Sequence, residues 1–294
     1  MRVTEKMIFQ SSIMHTGKSR ENLARAQEEV ASGTRVQHPG DDPVAASLAV
    51  GHTVDKARYG AVARVAQRAA DELNAADTAL NGIATTANRA LQIATQFGND
   101  TYSANDRATA AVEVNGLFQQ TLCLLNTTYG GRYIFGGFQD GSPPFAGDGT
   151  YLGDENTRKV EIAPGLFQPA SVNANAIVKG SNGGSDLMST LTALSTALGA
   201  NDGDGIRSSL GDLNRCIEQL AAGRTEVGMS QDAFQAAVSM ADSAVSDETI
   251  RIGRLLDADI FDASTRLASA QYALNAALTA TAKTLSMSLT DKLG

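Results

Sequence analysis

The feature that most constrains the fold is a run of small and apolar residues near the C-terminus, spaced alternately by three and four positions. Its members are Ile260, Ala263, Leu267, Ala270, Leu274, Ala277 and Thr281. This is the a/d spacing of a helix that packs lengthwise against another helix. Leu285 and Leu289 extend the run with a shift of one residue. The spacing predicts a long C-terminal helix with a coiled-coil seam.

The outer face of this predicted helix carries very little charge. Between residues 263 and 290 only Arg266 and Lys283 are charged, whereas a surface helix normally presents charged side chains to water. Two interpretations stay open: an Ala-rich helix inside one domain, or a helix surrounded by other subunits. Because the ends of the chain bury little apolar surface by themselves, we expect both to be mobile in the monomer and to fold on assembly.

The N-terminal segment reads as a weaker helix over residues 3–31, with apolar positions that include Met7, Ile13, Leu23 and Val30. It is followed by SGTRVQHPGDDP, residues 32–43. In this stretch Gly33 suits the left-handed position after a helix, Asp42 suits an N-cap, and Pro43 suits the first helical position. The stretch therefore predicts the end of one helix and the start of the next.

The middle of the chain predicts more helices around a small β-rich insert. Three-four spacing runs from Leu73 to Ala94, and a second helix is expected from the Ser103 capping box to Gly130-Gly131. From residue 132 short β-like pieces alternate with Gly, Pro and Asn, the first beginning at Tyr133–Phe135. Helices return after Ser185, a candidate N-cap. The expected fold is mainly α with long antiparallel helices from both termini and a projecting central β domain.

Charge excludes some classes of partner. The net charge of the 294 residues is −8, which argues against nucleic acid and anionic membrane. Residues 41–254 hold 15 Lys/Arg and 24 Asp/Glu, so both ends are close to neutral. The start, MRVTEKMIFQSSIMHTG, lacks the pattern of a Sec signal, and no apolar run is long enough to span a membrane. Cys123 and Cys216 fall in helical runs and are expected to be packing residues.

No pattern of catalytic, cofactor-binding or metal-binding residues is present in the sequence. His15, His38 and His52 are not at ligand spacing, and nucleophile and phosphate-loop motifs are absent. NDGDGI at 201–206 lacks the later ligands of a calcium loop and predicts a polar turn. The sequence predicts a protein that is not an enzyme and that carries no cofactor.

Several stretches together resemble the flagellin superfamily, and within it the hook–filament junction proteins of bacterial flagella. They are MRVTEKM, SGTRVQHPGDDPVAAS, RYIFGG and the Ala/Leu-rich end DADIFDASTRLASAQYALNAALTATAKTLSMSLTDKL. The resemblance implies inner-tube segments at 1–40 with 255–294, a helical rod at 41–131 with 186–254, and an insert at 132–185. It also implies unfolded export through the flagellar type III apparatus and an extracellular location at the hook–filament junction.

The role implied by the resemblance is that of a structural ring between hook-associated protein 1 and the flagellin filament. The implied partners are other copies of the chain, hook-associated protein 1, flagellin and an export chaperone. The expected interface residues are Met7, Ile13, Leu23, Val30, Ile260, Leu267, Leu274, Leu278, Leu285 and Leu289. The expected structural joints are Gly33, Asp42, Pro43, Tyr133 and Phe135.

Two other interpretations are compatible with parts of this pattern. One is flagellin itself, because termini of this type are shared across the superfamily, although the start MRVTEKM, the RYIFGG stretch and the modest insert favour the junction protein. The other is a cytoplasmic scaffold coiled coil. Such a coil would carry charged e and g positions along the last helix, and this sequence lacks them.

Overall fold

Long helices dominate the structure, a computed structural model that describes residues 2–99, 101–163, 165–181 and 183–293. Side chains are described from Phe9 to Lys283 within these ranges, together with that of Met7. The helices are α1 (Arg2–Ser32), α2 (Pro43–Phe97), α3 (Ala104–Leu125), α4 (Ala174–Val178), α5 (Leu187–Gly199), α6 (Gly203–Leu256) and α7 (Ile260–Leu293). The strands are β1 (Thr128–Tyr129), β2 (Arg132–Tyr133), β3 (Lys159–Ala163) and β4 (Leu166–Pro169). The prediction of a mainly α fold with a small β region is confirmed.

The chain forms two compact units. One unit contains Met1–Arg58 and Ala244–Gly294, and therefore holds α1, α7 and the adjoining ends of α2 and α6. The other unit contains Tyr59–Ser243 and holds α3, α4, α5 and all four strands.

The core of the unit Tyr59–Ser243 follows the predicted seam of α2. Leu73, Leu80 and Ile83 are almost completely buried, and so are the alanines at the intervening seam positions. α3 contributes Val114 and Leu125, and it begins with the predicted capping box. The Asp106 N–H donates to Ser103 Oγ at 3.2 Å, and the Ser103 N–H donates to Asp106 Oδ2 at 3.3 Å. Local capping and the three-four spacing therefore place these helices as the sequence predicts.

The end of α3 differs from the prediction, because the helix stops at Leu125 and not at the glycine pair. Tyr129 lies on β1, and Gly130 and Gly131 have φ of +58° and +82°. Two successive positive φ values are those of the type I′ turn that joins antiparallel strands, and β1 pairs with β2 across it. The expected strand Tyr133–Phe135 is also shorter than predicted. Tyr133 ends β2, while Phe135 lies beyond it as a fully buried core residue.

The insert contains less β structure than its sequence suggests. β3 and β4 form one antiparallel hairpin, but the later stretch ANAIV is helix α4. The reason is a local cap, since Asn173 Oδ1 accepts the Ala176 N–H at 3.1 Å. The N-cap of α5 is Asp186 and not Ser185, whose hydroxyl donates to Asp212 Oδ1 at 3.2 Å.

The two cysteines lie in different environments. Cys216 is buried, and burial raises the pKa of its thiol to about 11. Cys123 is exposed. The prediction of a packing role is therefore right for Cys216 and wrong for Cys123, which lies on the outward face of α3.

Candidate assembly site at the terminal helices

Helices α1 and α7 pack against each other in antiparallel orientation. Thr16 Oγ1 lies 3.3 Å from Thr281 Oγ1, and farther along the pair Glu29 Oε1 lies 2.9 Å from Arg266 Nη2. The second contact is an ion pair only, because Glu29 Oε1 accepts no hydrogen bond from the arginine. Residue numbers rise along α1 as they fall along α7, so the helices run in opposite directions.

The inner seam of this pair follows the spacing predicted from the sequence. On α7 the less exposed positions are Ala263, Leu267, Ala270, Leu274, Ala277 and Thr281. On α1 the corresponding positions are Ser12, Thr16, Ser19, Leu23, Ala26 and Val30. Of the predicted interface residues, Leu23, Val30, Leu267 and Leu274 are therefore half-buried within the pair. Most other seam residues are small, so the pair buries few large apolar side chains.

Four of the other six predicted interface residues point away from this seam. Met7, Ile13, Ile260 and Leu278 are exposed. The side chains of Leu285 and Leu289 lie outside the described part of the chain. The structure thus separates residues that the sequence analysis treated as one set into an inner seam and an outer surface.

Further large apolar residues lie on the outer surface, and two of them, Phe261 and Tyr272, were missed by the sequence analysis. Phe261 is 80% exposed and Tyr272 is 76% exposed, and Phe9 and Met14 are exposed as well. Isolated exposed apolar residues are common, but this many aromatic and aliphatic side chains on one helix pair leave more apolar surface exposed than is usual for a monomer. The sequence did contain one sign of them: they lie outside the three-four seam, at positions where a helix that faces water normally carries charged residues.

The first predicted joint, Gly33, has the expected conformation. Its φ is +70°, in the left-handed region that favours glycine, and its N–H donates to Glu29 O at 3.0 Å. This is the hydrogen bond that closes a helix C-terminus in the αL motif. The prediction that Gly33 ends the N-terminal helix is confirmed.

The start of α2 also follows the prediction. Asp42 Oδ1 accepts the Ala45 N–H at 3.0 Å, and Pro43 is the first residue of the helix. Asp41 Oδ2 accepts the backbone N–H groups of His38 and Gln37 at 2.9 and 3.2 Å. These donors hold the pKa of the Asp41 carboxyl below its ordinary value, and the Ala45 N–H, assisted by Arg35, does the same for Asp42.

A second break, between α6 and α7, lies directly beside the first and was missed by the sequence analysis. The Ala258 N–H donates to Gly33 O at 2.9 Å, and the Arg35 N–H donates to Leu256 O at 2.7 Å. Thr34 and Asp257 form an antiparallel bridge between these bonds. Arg35 Nη2 also donates to Leu255 O at 3.1 Å. The two breaks form one joint, which we call the paired joint (33–36 with 255–258).

The capping carboxyl of Asp42 predicts that the start of α2 is sensitive to acid. Because the pKa of Asp42 is lowered on folding, its contribution is complete above the ordinary value of 3.8 and is lost as the pH falls below it. We expect the Ala45 amide to lose hydrogen-exchange protection over that range, after correction for the intrinsic rate. In Asp42→Asn, whose neutral amide still caps, this loss is expected to disappear. The Ala87 amide in the middle of α2 is the control, and equal pH dependence in both proteins would contradict the prediction.

Among the described residues no group of three or more His, Cys, Asp and Glu side chains is placed to hold a metal ion. Helices long and apolar enough to cross a membrane are likewise absent from this part of the chain.

Comparison with known proteins agrees with this architecture. The family model "Bacterial flagellin N-terminal helical region" matches residues 4–140. Flagellar hook-associated protein 3 of Escherichia coli (strain K12) is 26% identical over 88% of this chain and 89% of the relative. The corresponding Salmonella typhimurium protein is 25% identical over the same shares. A flagellin of Listeria monocytogenes is 24% identical over 78% of this chain and 76% of the relative.

Solved structures share the fold. FlgL of Bacillus cereus superposes with a TM-score of 0.58 at 22% identity, covering 71% of this chain and 99% of that one. FlgL of Xanthomonas campestris gives a TM-score of 0.57 at 20% identity, covering 65% and 95%. The helical architecture, the paired termini and these matches lead to one conclusion: the chain carries a match to the flagellin N-terminal helical region over residues 4–140 and is similar along most of its length to flagellar hook-associated protein 3.

Proposed function

We propose that this chain is a structural adaptor of the bacterial flagellum. It forms a ring between hook-associated protein 1 and the first flagellin subunits, and so connects two helical lattices. The proposal is supported by the name of the relatives that match the largest share of the chain. The flagellin matches cover a smaller share of the chain, which favours the adaptor over a filament subunit.

The observation that carries the proposal is the outer surface of the α1–α7 pair. Its seam contains mostly Ala, Ser and Thr, while Met7, Ile13, Phe261 and Tyr272 are exposed. Burying a large apolar side chain contributes roughly 1.5–3 kcal/mol, so covering several of them in an assembly adds substantially to what the seam supplies. Residues 1–40 with 255–294 then act as inner-tube segments that neighbouring subunits enclose.

The other parts of the proposal follow from the same role. Residues 41–131 with 186–254 form the rod, and residues 132–185 form the insert. The chain reaches the extracellular junction through the flagellar type III apparatus, with an export chaperone as a transient partner. The paired joint divides the inner-tube segments from the rod.

Deletion of the gene tests the proposed function. We expect electron microscopy to show hooks without filaments, and flagellin to accumulate in the medium, because the filament has no lattice to grow from. Complementation with the wild-type gene is the control. Attached filaments of normal length in the deletion strain would contradict the adaptor role. Loss of flagellin itself, together with high abundance of this chain in isolated filaments, would identify a filament subunit instead.

A further inference from the structure

The unit Tyr59–Ser243 carries two exposed helix faces with opposite charge. The basic α2 face consists of Ala61, Arg64, Val65 and Arg68, all exposed. The acidic α6 face consists of Met229, Asp232, Ala236, Met240 and Asp242, also exposed. Met229 is 66% exposed and Met240 is 71% exposed. Each face therefore combines apolar side chains with charge of one sign.

The spacing of both faces is that of helices that pack together. Ala61, Val65 and Arg68 are separated by four and three residues, with Arg64 at the edge of the stripe. Met229, Asp232, Ala236 and Met240 are separated by three, four and four, and Asp242 lies outside this stripe on the flank nearer Asp232. The inward seam of α2, which includes Ala66 and Leu73, is a separate set of buried residues. Both helices thus carry a second, outward stripe in addition to their core stripe.

The charges on these faces have no partner within the described chain. Arg64 and Arg68 form no ion pair or hydrogen bond among the described residues, and the same holds for Asp232 and Asp242. Elsewhere in this unit cross-helix arginines are paired, as in Arg224 with Asp77, whose Nε and Oδ1 atoms lie 2.8 Å apart.

We propose that the basic α2 face of one copy docks on the acidic α6 face of a second copy. Pairing two α2 faces would oppose arginines, and pairing two α6 faces would oppose aspartates, whereas the mixed pair brings opposite charges together around an apolar centre. Because the two patches differ, the contact is heterologous, and repetition of it generates a closed ring or a helix of subunits. This inference rests on the proposed function, since it names a contact by which the ring is built.

Charge reversal tests the contact in a deletion strain. Arg64→Glu/Arg68→Glu makes both faces acidic, and Asp232→Lys/Asp242→Lys makes both basic. We expect each variant alone to reduce the number of cells with attached filaments by at least about tenfold, because like charges then meet across the contact. Co-expression of the two variants, or all four changes in one chain, is expected to restore attachment. Lys159→Glu, which reverses an exposed cation on β3, is the control that leaves attachment unchanged.

A chemical readout separates this contact from the proposed function. Arg64→Lys/Arg68→Lys keeps the charge and adds amines that a carbodiimide couples to carboxylates, so isolated assemblies should give a covalent dimer linking residues 64–68 to 232–242. Normal filament attachment by both charge-reversed variants would overturn the contact. Loss of attachment that co-expression of the two variants does not restore would also overturn it, and so would the absence of the cross-linked dimer. Dimers in a strain whose filaments do not depend on the gene would overturn the proposed function and leave the contact standing.

Discussion

Replacing Arg107 by alanine is expected to lower the free energy of unfolding of the full chain by about 3 kcal/mol, the largest stability effect that we anticipate from one surface-distant substitution. Arg107 is 4% exposed and its guanidinium joins two helix ends. Nε donates to Phe97 O at 3.2 Å and Nη2 donates to Asn99 O at 2.8 Å, which satisfies carbonyls at the end of α2. Nη1 donates to Asn201 Oδ1 at 2.8 Å, beyond the end of α5.

The cost arises because the alanine leaves partly buried carbonyl groups without this donor. Each such group costs about 1–3 kcal/mol, and the helix C-terminus also loses a favourable cation. Asn201 has φ of +59°, an uncommon conformation that the Arg107 contact helps to hold.

Urea unfolding of the full chain, followed by circular dichroism, measures the Arg107 effect. Arg68→Ala is the matched control, because that arginine is exposed and the change is expected to stay within about 0.5 kcal/mol. Equal destabilisation by both changes would contradict the role assigned to Arg107. The free energy of unfolding of Arg107→Lys should lie between those of the two alanine variants, since a single ammonium group replaces the several N–H donors of the guanidinium.

Replacing Leu274 by aspartate is expected to abolish filament attachment while the unit Tyr59–Ser243 remains folded. Leu274 is half-buried in the seam between α1 and α7, where few large apolar residues are available. Losing one Leu contact costs roughly 1.5–3 kcal/mol, equivalent to about a tenfold or greater change in an association constant, and the buried carboxylate adds a desolvation cost.

Electron microscopy of the complemented deletion strain measures this effect, and urea unfolding reports on the unit Tyr59–Ser243. Leu274→Met is the matched control, because it keeps an apolar side chain of similar volume at the same seam position. Attachment at the wild-type level in Leu274→Asp would show that the seam is not needed for assembly. Loss of the whole unfolding transition would identify Leu274 as core within one subunit.

Local signals predicted much of the fold. The spacing of Leu73, Leu80 and Ile83 identified the buried face of α2, because a helical period is a property of neighbouring residues. The caps at Ser103 and Asp42, and the left-handed Gly33, were equally local. The β content was overestimated, since the Asn173 cap that begins α4 lies within a stretch whose Gly and Pro content suggested turns and strands.

The candidate site was only partly predictable. The sequence indicated that Leu267 and Leu274 lie on a seam, but it did not separate them from Ile260 and Leu278, which are exposed. Phe261 and Tyr272 went unnoticed because apolar residues off the seam have no period of their own. Their importance becomes visible only when the partner helix is known and the uncovered side can be identified.

By itself the sequence determined the helical class, the break at residues 32–43 and the near absence of charge on the last helix, because helix period, capping and charge are set by residues a few positions apart. Only the tertiary structure decided that residues 33–36 pair with 255–258, and that Arg107 serves helix ends separated by about a hundred residues. The physical reason is that a hydrogen bond between distant segments depends on where the chain returns in space. The sequence around one hydrogen-bonding residue does not indicate which distant residue it will meet.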